Sequence, residues 1–157
     1  MTAAAVPPIY DLGELHHVGI VVTDLEEAAE TIRRVHEVPV TLFDETAYAC
    51  RIDGVEHRTI QRIGLSAAGP PHVELLRAVP GSPVWTPAPG IHHIGFVVDD
   101  VPAASAELAR RGARLWMAGV KDGRAPAGTC YHRDPLGQVI ELLDRATAAG
   151  LAGRIRP

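Results

Sequence analysis

Two nearly identical segments decide the fold of this 157-residue chain: HHVGIVVTD at residues 16–24 and HHIGFVVDD at residues 92–100. They are separated by about half the length of the chain. Similarity between segments at a fixed spacing is typical of a duplicated structural unit. We therefore expect two related modules in tandem.

A short amphipathic helix is predicted after each copy, because apolar residues follow at three- and four-residue spacings. In the first copy, Thr23 and Glu26 have the spacing of a capping box. In the second copy, Asp100 and Pro102 predict the helix start, and Gly112 predicts its end. Each module thus begins with a strand and a helix.

Each module is predicted to close with a β-strand that carries one glutamate among aliphatic residues. The two segments are HVELL at 72–76 and QVIELLD at 138–144, and each follows a turn rich in Gly or Pro. Residues 55–63 and 129–133 are predicted as the strands before those turns. Each half of the chain therefore indicates the order βαβββ.

The domain organisation follows from these boundaries. It comprises an N-terminal arm at 1–13, a first module at 14–77, a linker at 78–90, a second module at 91–144 and a C-terminal tail at 145–157. Four prolines in the linker argue against regular structure there. The tail shows no site chemistry and is expected to be a short helix or disordered.

Composition excludes several classes of function. The net charge of −4 and the pI of about 6.0 do not provide the basic surface that nucleic-acid binding needs. The N-terminal residues lack a basic segment and an apolar run of the length of a signal peptide or membrane span. The two cysteines form no CxxC motif. We expect a cytoplasmic protein with no nucleic-acid or membrane partner.

Four of the eight histidines form the two HH pairs, each at the start of an apolar strand. Because side chains alternate across a strand, His17 and His93 are predicted on one face, and His16 and His92 on the other. Three of the other four histidines, His36, His57 and His72, are predicted to lie at the surface.

Glu74 and Glu141 lie among Val, Ile and Leu, where an unpaired buried carboxylate would be costly. Taken singly, such a glutamate is more often the outward residue of an alternating strand, and a strand-start histidine is more often a surface residue. Their recurrence at matching places in both halves favours another interpretation. If a pseudo-twofold axis relates the halves, two imidazoles and two carboxylates converge and form a plausible divalent-metal site.

The segments HHVGIVVTDLEEA, PGIHHIGFVVDDV and DPLGQVIELLD resemble the vicinal oxygen chelate superfamily, which includes glyoxalase I, methylmalonyl-CoA epimerase, extradiol dioxygenases and bleomycin-resistance proteins. The resemblance extends over roughly residues 14–144. It implies an α+β fold in which two tandem βαβββ modules form a curved mixed sheet around one divalent metal ion: Co, Ni, Mn, Zn or Fe. It also implies a homodimer that acts on a small-molecule substrate.

The resemblance implies the metal ligands position by position: His17, Glu74, His93 and Glu141. The two histidines are the ones that directly precede Val-Gly and Ile-Gly. A one-residue error in register would make His16 or His92 the ligand instead.

The greatest similarity is to methylmalonyl-CoA epimerase, which implies epimerisation or isomerisation of a chelated enolisable substrate. Glu141 would then bind the metal and transfer a proton. The second base would come from the next strand region, where Glu45 is the candidate and Asp44 and Tyr48 are neighbours.

Three other functions remain open. Glu74 as a fourth ligand is common in glyoxalase I of the nickel or cobalt type, so a glyoxalase I-type lyase is the main alternative. An extradiol dioxygenase would hold iron with two histidines and one carboxylate. A bleomycin-resistance-type binding protein would lack the ligand set and rely on aromatic surfaces.

Overall fold

The computed structural model describes residues 11–156, so most of the predicted N-terminal arm lies outside the described residues. Within them the chain forms ten strands and three helices. The first half contains β1 (Glu14–Val22), α1 (Leu25–His36), β2 (Val40–Leu42), β3 (Thr46–Ile52), β4 (Val55–Gln61), β5 (Ile63–Ser66) and β6 (His72–Arg77). The second half contains β7 (His93–Val98), α2 (Val101–Arg110), β8 (Arg114–Gly119), β9 (Thr129–Arg133), β10 (Val139–Asp144) and α3 (Arg145–Ala152).

All ten strands belong to one mixed sheet in the order β2-β5-β6-β1-β7-β10-β9-β8-β3-β4. The first strands of the two halves, β1 and β7, lie side by side in antiparallel orientation. Each of them also pairs in parallel with the closing strand of its own half, β6 or β10. The halves are thus joined through equivalent strands, and the predicted α+β fold with a curved mixed sheet is confirmed.

The sheet curls into a half-barrel because its two ends are made from neighbouring pieces of the same chain. Strand β4 runs into β5 with only Arg62 between them, yet β5 lies near one end of the sheet and β4 at the other. The single strand expected over 55–63 is therefore divided into two. The hairpin of β3 and β4 pairs with β8, so a piece of the first half extends the sheet of the second.

Helix α1 begins one residue later than its sequence signal suggested. The side chain of Asp24 accepts a hydrogen bond of 2.9 Å from the backbone N–H of Glu27, so Asp24 is the N-cap. The capping box predicted from Thr23 and Glu26 is therefore wrong. The Glu26 carboxylate instead accepts a hydrogen bond from Arg62.

Helix α2 follows its prediction more closely. Asp100 caps it by accepting a 2.9 Å hydrogen bond from the N–H of Ala103, and Pro102 lies in the first turn. Its apolar side, with Val101 and Leu108, packs in a core cluster against the strands of the second half. Gly112 lies just beyond the helix with a positive φ of 102°, which a glycine adopts without strain.

The segment between the halves contains no helix or strand, as its prolines predicted, but it is firmly packed. Val84 and Trp85 are only 1% and 2% exposed and belong to the same core cluster as Trp116 and Tyr131. The Trp85 indole N–H also donates a hydrogen bond of 3.3 Å to the Tyr131 hydroxyl. The segment is thus part of the core as well as a connection.

The C-terminal tail forms helix α3, which resolves the open choice between helix and disorder for its first eight residues. The Asp144 side chain caps it by accepting a hydrogen bond of 2.8 Å from the N–H of Thr147. Among the helices of the described part of the chain, none is long and apolar enough to cross a membrane.

We expect Trp85→Ala to lower the free energy of unfolding by about 3–5 kcal/mol, because it removes a fully buried aromatic side chain. The matched control in the same segment is Ile91→Ala, since Ile91 is 60% exposed and should change stability by no more than about 0.5 kcal/mol. Denaturant unfolding measures both. Equal small losses would contradict the packing role of this segment.

Candidate metal centre

The pairing of β1 with β7 places a histidine of each strand opposite a glycine of the other. His17 lies opposite Gly95, and Gly19 lies opposite His93. A Cβ atom added at Gly19 would come within 2.1 Å of the His93 ring, and one at Gly95 within 2.2 Å of the His17 ring. Each imidazole therefore occupies the space that a side chain at the opposite glycine would need, which explains the recurring HH-x-G.

The closing strands add one glutamate to each of these two rows. In the β1–β6 pairing Glu74 lies beside Gly19, and in the β7–β10 pairing Glu141 lies beside Gly95. A row across the sheet therefore has a histidine and a glutamate on the two sides of one glycine. Since the glycine contributes no side chain, the histidine and the glutamate extend toward each other over it.

The result is a compact cluster of four donor atoms within 4.8 Å of one another. The Nε2 atoms of His17 and His93 are 2.9 Å apart, and Oε2 of Glu141 is 2.6 Å and 3.0 Å from them. Oε1 of Glu74 is 3.3 Å from His93 Nε2 and 3.7 Å from His17 Nε2. The structure thus brings together the four residues that the resemblance implied.

These distances fit a divalent cation. Nitrogen and oxygen ligands about 2.1 Å from one ion are about 3.0 Å apart when adjacent in an octahedron and about 3.4 Å apart in a tetrahedron. Both values fall within the observed 2.6–3.7 Å. All four side chains are buried, and two imidazoles with two carboxylates are a donor set that divalent transition metals bind.

The electrostatics of the cluster also favour a positive charge beside the two carboxylates. Burial by itself lowers the pKa of His93, but Glu141 and Glu74 outweigh it and raise this pKa from 6.5 to about 9. Burial also lowers the pKa of His17, but the two glutamates outweigh it and raise this pKa. Burial by itself raises the pKa of Glu141, but His17 and His93 hold it well below its usual range. Without an ion, the carboxylates therefore retain protons on the histidines.

The preceding histidine of each pair contacts the ring of its neighbour rather than the glutamates. The Nδ1 atoms of His16 and His17 are 2.8 Å apart, and those of His92 and His93 are 2.9 Å apart. His16 lies at an irregularity where the pairing with β7 passes from Leu15 to His17. The cluster of donor atoms contains His17 and His93. This agrees with the ligands that the resemblance implied, and not with His16 and His92, which a one-residue shift would have selected.

Burial keeps both of these preceding histidines neutral. It lowers the pKa of His16 to about 4, with a contribution from the charges of His17 and His72, and it lowers the pKa of His92. His72, predicted at the surface, is buried, and its ring centroid is 5.2 Å from that of His16. That prediction was wrong because the segment after the turn folds back against β1, a contact that local sequence does not reveal.

A cavity of about 180 Å³ opens beside the cluster and is lined by Glu74 and Glu141. Asp44 and Tyr48 also line it, whereas Glu45 does not. The Glu45 carboxylate is 57% exposed and pairs with Arg77 at 2.8 Å on another part of the surface. The structure therefore does not bring the predicted second base to the cluster, and it brings the two neighbouring alternatives to the cavity.

Helix α3 forms part of the cavity wall through Thr147 and Leu151, and Arg154 follows it. The Arg154 guanidinium lies over the Phe43 ring, 4.2 Å from its centroid. The sequence of the tail showed no site chemistry, and the structure places three of its residues in the cavity wall. The spacing of Asp144 and Thr147 is a local signal for the start of this helix. The position of the helix beside the cavity depends on the tertiary fold.

Comparison with known proteins gives the family. The family model described as Glyoxalase/Bleomycin resistance protein/Dioxygenase superfamily matches residues 16–131. The chain belongs to this superfamily. Among curated protein sequences, none is significantly similar to this superfamily member.

Solved structures similar to this superfamily member include methylmalonyl-CoA epimerases. That of Mycobacterium tuberculosis is 26% identical, with a TM-score of 0.54, over 83% of this chain and 87% of the epimerase. A Streptomyces coelicolor epimerase variant in complex with 2-nitronate-propionyl-CoA is 20% identical, with a TM-score of 0.55, over 87% and 99% of the two chains. A methylmalonyl-CoA epimerase in complex with methylmalonyl-CoA and NH4+ is 18% identical, with a TM-score of 0.56, over 88% and 98%. The last two similarities support the fold.

Gly95→Ala should destabilise the protein by about 1–3 kcal/mol, because the new methyl group overlaps the His17 ring. Gly150→Ala is the matched control, since a Cβ there meets no atom within 4 Å and the residue lies in α3. The control should be neutral or stabilising by up to about 1 kcal/mol. Thermal and denaturant unfolding measure both variants, and equal stabilities would contradict the packing of His17 over Gly95.

The metal-free protein should lose stability as pH rises from 6.5 to about 9. The folded-state pKa of His93 is raised to about 9 from 6.5, so its stabilising contribution is complete below pH 6.5 and disappears through this window. We expect Tm of chelator-treated protein to fall across the window, and Glu141→Gln to reduce the fall. An unchanged Tm between these two pH values would oppose this account of the cluster.

Proposed function

We propose that this protein is a metal-dependent enzyme that transfers a proton at the carbon next to a carbonyl group, as an epimerase or isomerase of an enolisable small molecule. The observation that carries the proposal is the buried set His17, Glu74, His93 and Glu141 beside an open cavity. The similarity to the Mycobacterium tuberculosis epimerase supports the choice of reaction.

The four residues would hold one divalent ion, with cobalt, nickel, manganese, zinc and iron as candidates. When bound, the ion supplies Lewis-acid stabilisation of negative charge on a carbonyl oxygen and so acidifies the neighbouring C–H. The low exposure of the four side chains strengthens the charge interactions among them.

Glu141 would accept or return the proton on one side of the reacting carbon. Its carboxylate lines the cavity in which a substrate would lie. For the opposite side we propose Asp44 instead of Glu45, because only the former lines the same cavity. Epimerisation needs both groups, whereas proton exchange needs only one.

Tyr48 would orient the substrate as a hydrogen-bond donor. Its hydroxyl lies 2.5 Å from Thr129 Oγ1. Burial raises the pKa of Tyr48, which keeps the phenol protonated at neutral pH. Arg154 beside the cavity provides a positive charge for an anionic group of the substrate, which is compatible with a coenzyme A thioester.

A glyoxalase I-type lyase is the second candidate, and the observation that favours it is the second carboxylate of the donor set. Glu74 and Glu141 both contact the two histidines, so the cluster has four protein donors. The same proton chemistry, applied to a hemithioacetal, would give an isomerised thioester. The two reactions are distinguished by the substrate that exchanges its proton.

The first test measures the metal content of the protein after loading with a panel of divalent ions. It compares the wild type with the cluster variants Glu74→Gln and Glu141→Gln and with the surface control Glu56→Gln. The wild type and the control should retain about one ion per chain, and the two cluster variants should lose it. Plasma mass spectrometry measures this ratio. A wild type that binds no ion under any loading would overturn the enzyme proposal and favour a binding protein.

The second test is deuterium incorporation into methylmalonyl-CoA in D2O with the metal-loaded protein. We expect exchange of the α-proton in the wild type and loss of exchange in Glu141→Gln, which removes the ion together with the proton acceptor. Asp44→Asn should bind the ion normally but invert configuration more slowly. No exchange, together with turnover of a hemithioacetal, would move the assignment to the lyase.

A further inference from the structure

The imidazole of His92 links a backbone carbonyl to one of the candidate ligands. Its Nε2 lies 2.7 Å from the carbonyl oxygen of Val84, and its Nδ1 lies 2.9 Å from Nδ1 of His93. The backbone N–H of His92 also donates a 2.7 Å hydrogen bond to the carbonyl of Gly19. The residue is thus held both by its backbone and by both ring nitrogens.

These contacts determine which nitrogen carries each proton. The Val84 carbonyl can only accept, so Nε2 of His92 is the donor. A neutral imidazole has one N–H, which leaves Nδ1 of His92 as an acceptor. The hydrogen between the two Nδ1 atoms therefore belongs to His93, so a neutral His93 has its lone pair on Nε2. That Nε2 is the atom that lies in the cluster.

We propose that His92 is a positioning residue, which holds His93 with its Nδ1 protonated and its Nε2 lone pair directed at the metal position, and that His16 does the same for His17. Metal-binding imidazoles generally donate their other N–H to a partner that fixes the tautomer and the ring orientation. Here the partner is a second imidazole from the preceding residue. The inference rests on the metal centre of the proposed function.

The two halves of the chain place their histidine pairs in matching geometry. In the first half, the Nδ1 atoms of His16 and His17 are 2.8 Å apart, with the two rings edge to face at 87°. In the second half, the corresponding rings of His92 and His93 meet at 90°. The same geometry arises although His16 is supported by the ring of His72 and His92 by a carbonyl group.

A pair of variants isolates the acceptor at His92. His92→Leu and His92→Asn both lose the hydrogen bond to Val84, but only the Asn side chain has an oxygen near the position of Nδ1. We expect His92→Leu to weaken Co²⁺ binding by about 10–100-fold, and His92→Asn to bind with an affinity close to that of the wild type. His36→Leu, at the exposed end of α1, is the control for the histidine loss.

Co²⁺ titration followed by visible absorption gives the affinity and the ligand geometry in one experiment. A His92→Leu variant that binds as tightly as the wild type overturns the inference, and so does a His92→Asn variant that is as weak as His92→Leu. In either case the wild type still binds the ion, so the proposed function would stand. A wild type that binds no ion would overturn both.

Nitrogen-15 NMR of the Zn²⁺-loaded wild type tests the proton positions without any variant that could fail to fold. Long-range proton–nitrogen correlations should show His93 protonated at Nδ1 and His92 protonated at Nε2. They should show the Nδ1 atom of His92 without a proton. A proton on that atom would contradict the inference directly, because the atom could not then accept.

Discussion

The site depends on one steric constraint: the imidazole of each half lies in the space left by a glycine of the other half. Because side chains alternate along a strand, a one-residue slip between β1 and β7 would move each histidine to the opposite face of the sheet. The observed register brings His17 over Gly95 and His93 over Gly19. The closing strands then supply the glutamates through their own pairing with these glycine rows. Register, ligand set and pseudo-twofold symmetry are therefore consequences of the same contact.

This arrangement concentrates groups that would repel one another without a compensating charge. Glu74 and Glu141 are 4% and 7% exposed, and burying an unpaired carboxylate is costly. Two protons on the histidines can neutralise the carboxylates, and so can one divalent ion. The ion and the protons compete for the same lone pairs, so metal binding must release protons. Folding thus buries two negative charges in the cluster, and a bound cation would compensate them.

The sequence predicted the repeat, the fold class and the residues of the cluster, because each depends on a local pattern that occurs twice. It predicted less well what depends on contacts between distant segments. Nothing local distinguishes His72, buried against β1, from a surface histidine, and nothing local shows that Trp85 enters the core. The division of residues 55–63 into β4 and β5 also depends on the curl of the sheet. Glu45 and Asp44 are neighbours in sequence, and only the backbone direction after β2 decides that Asp44 lines the cavity.

The β3–β4 hairpin of the first half pairs with a strand of the second half, and this has a consequence for how the molecule folds. Strands β3 and β4 come from the first half, but this hairpin joins the sheet only through β8 of the second half. Pairings between residues far apart in sequence, such as Cys50 with Gly119, generally slow folding. Cleavage between the halves would therefore leave two fragments that still pair through β1 with β7 and through β3 with β8.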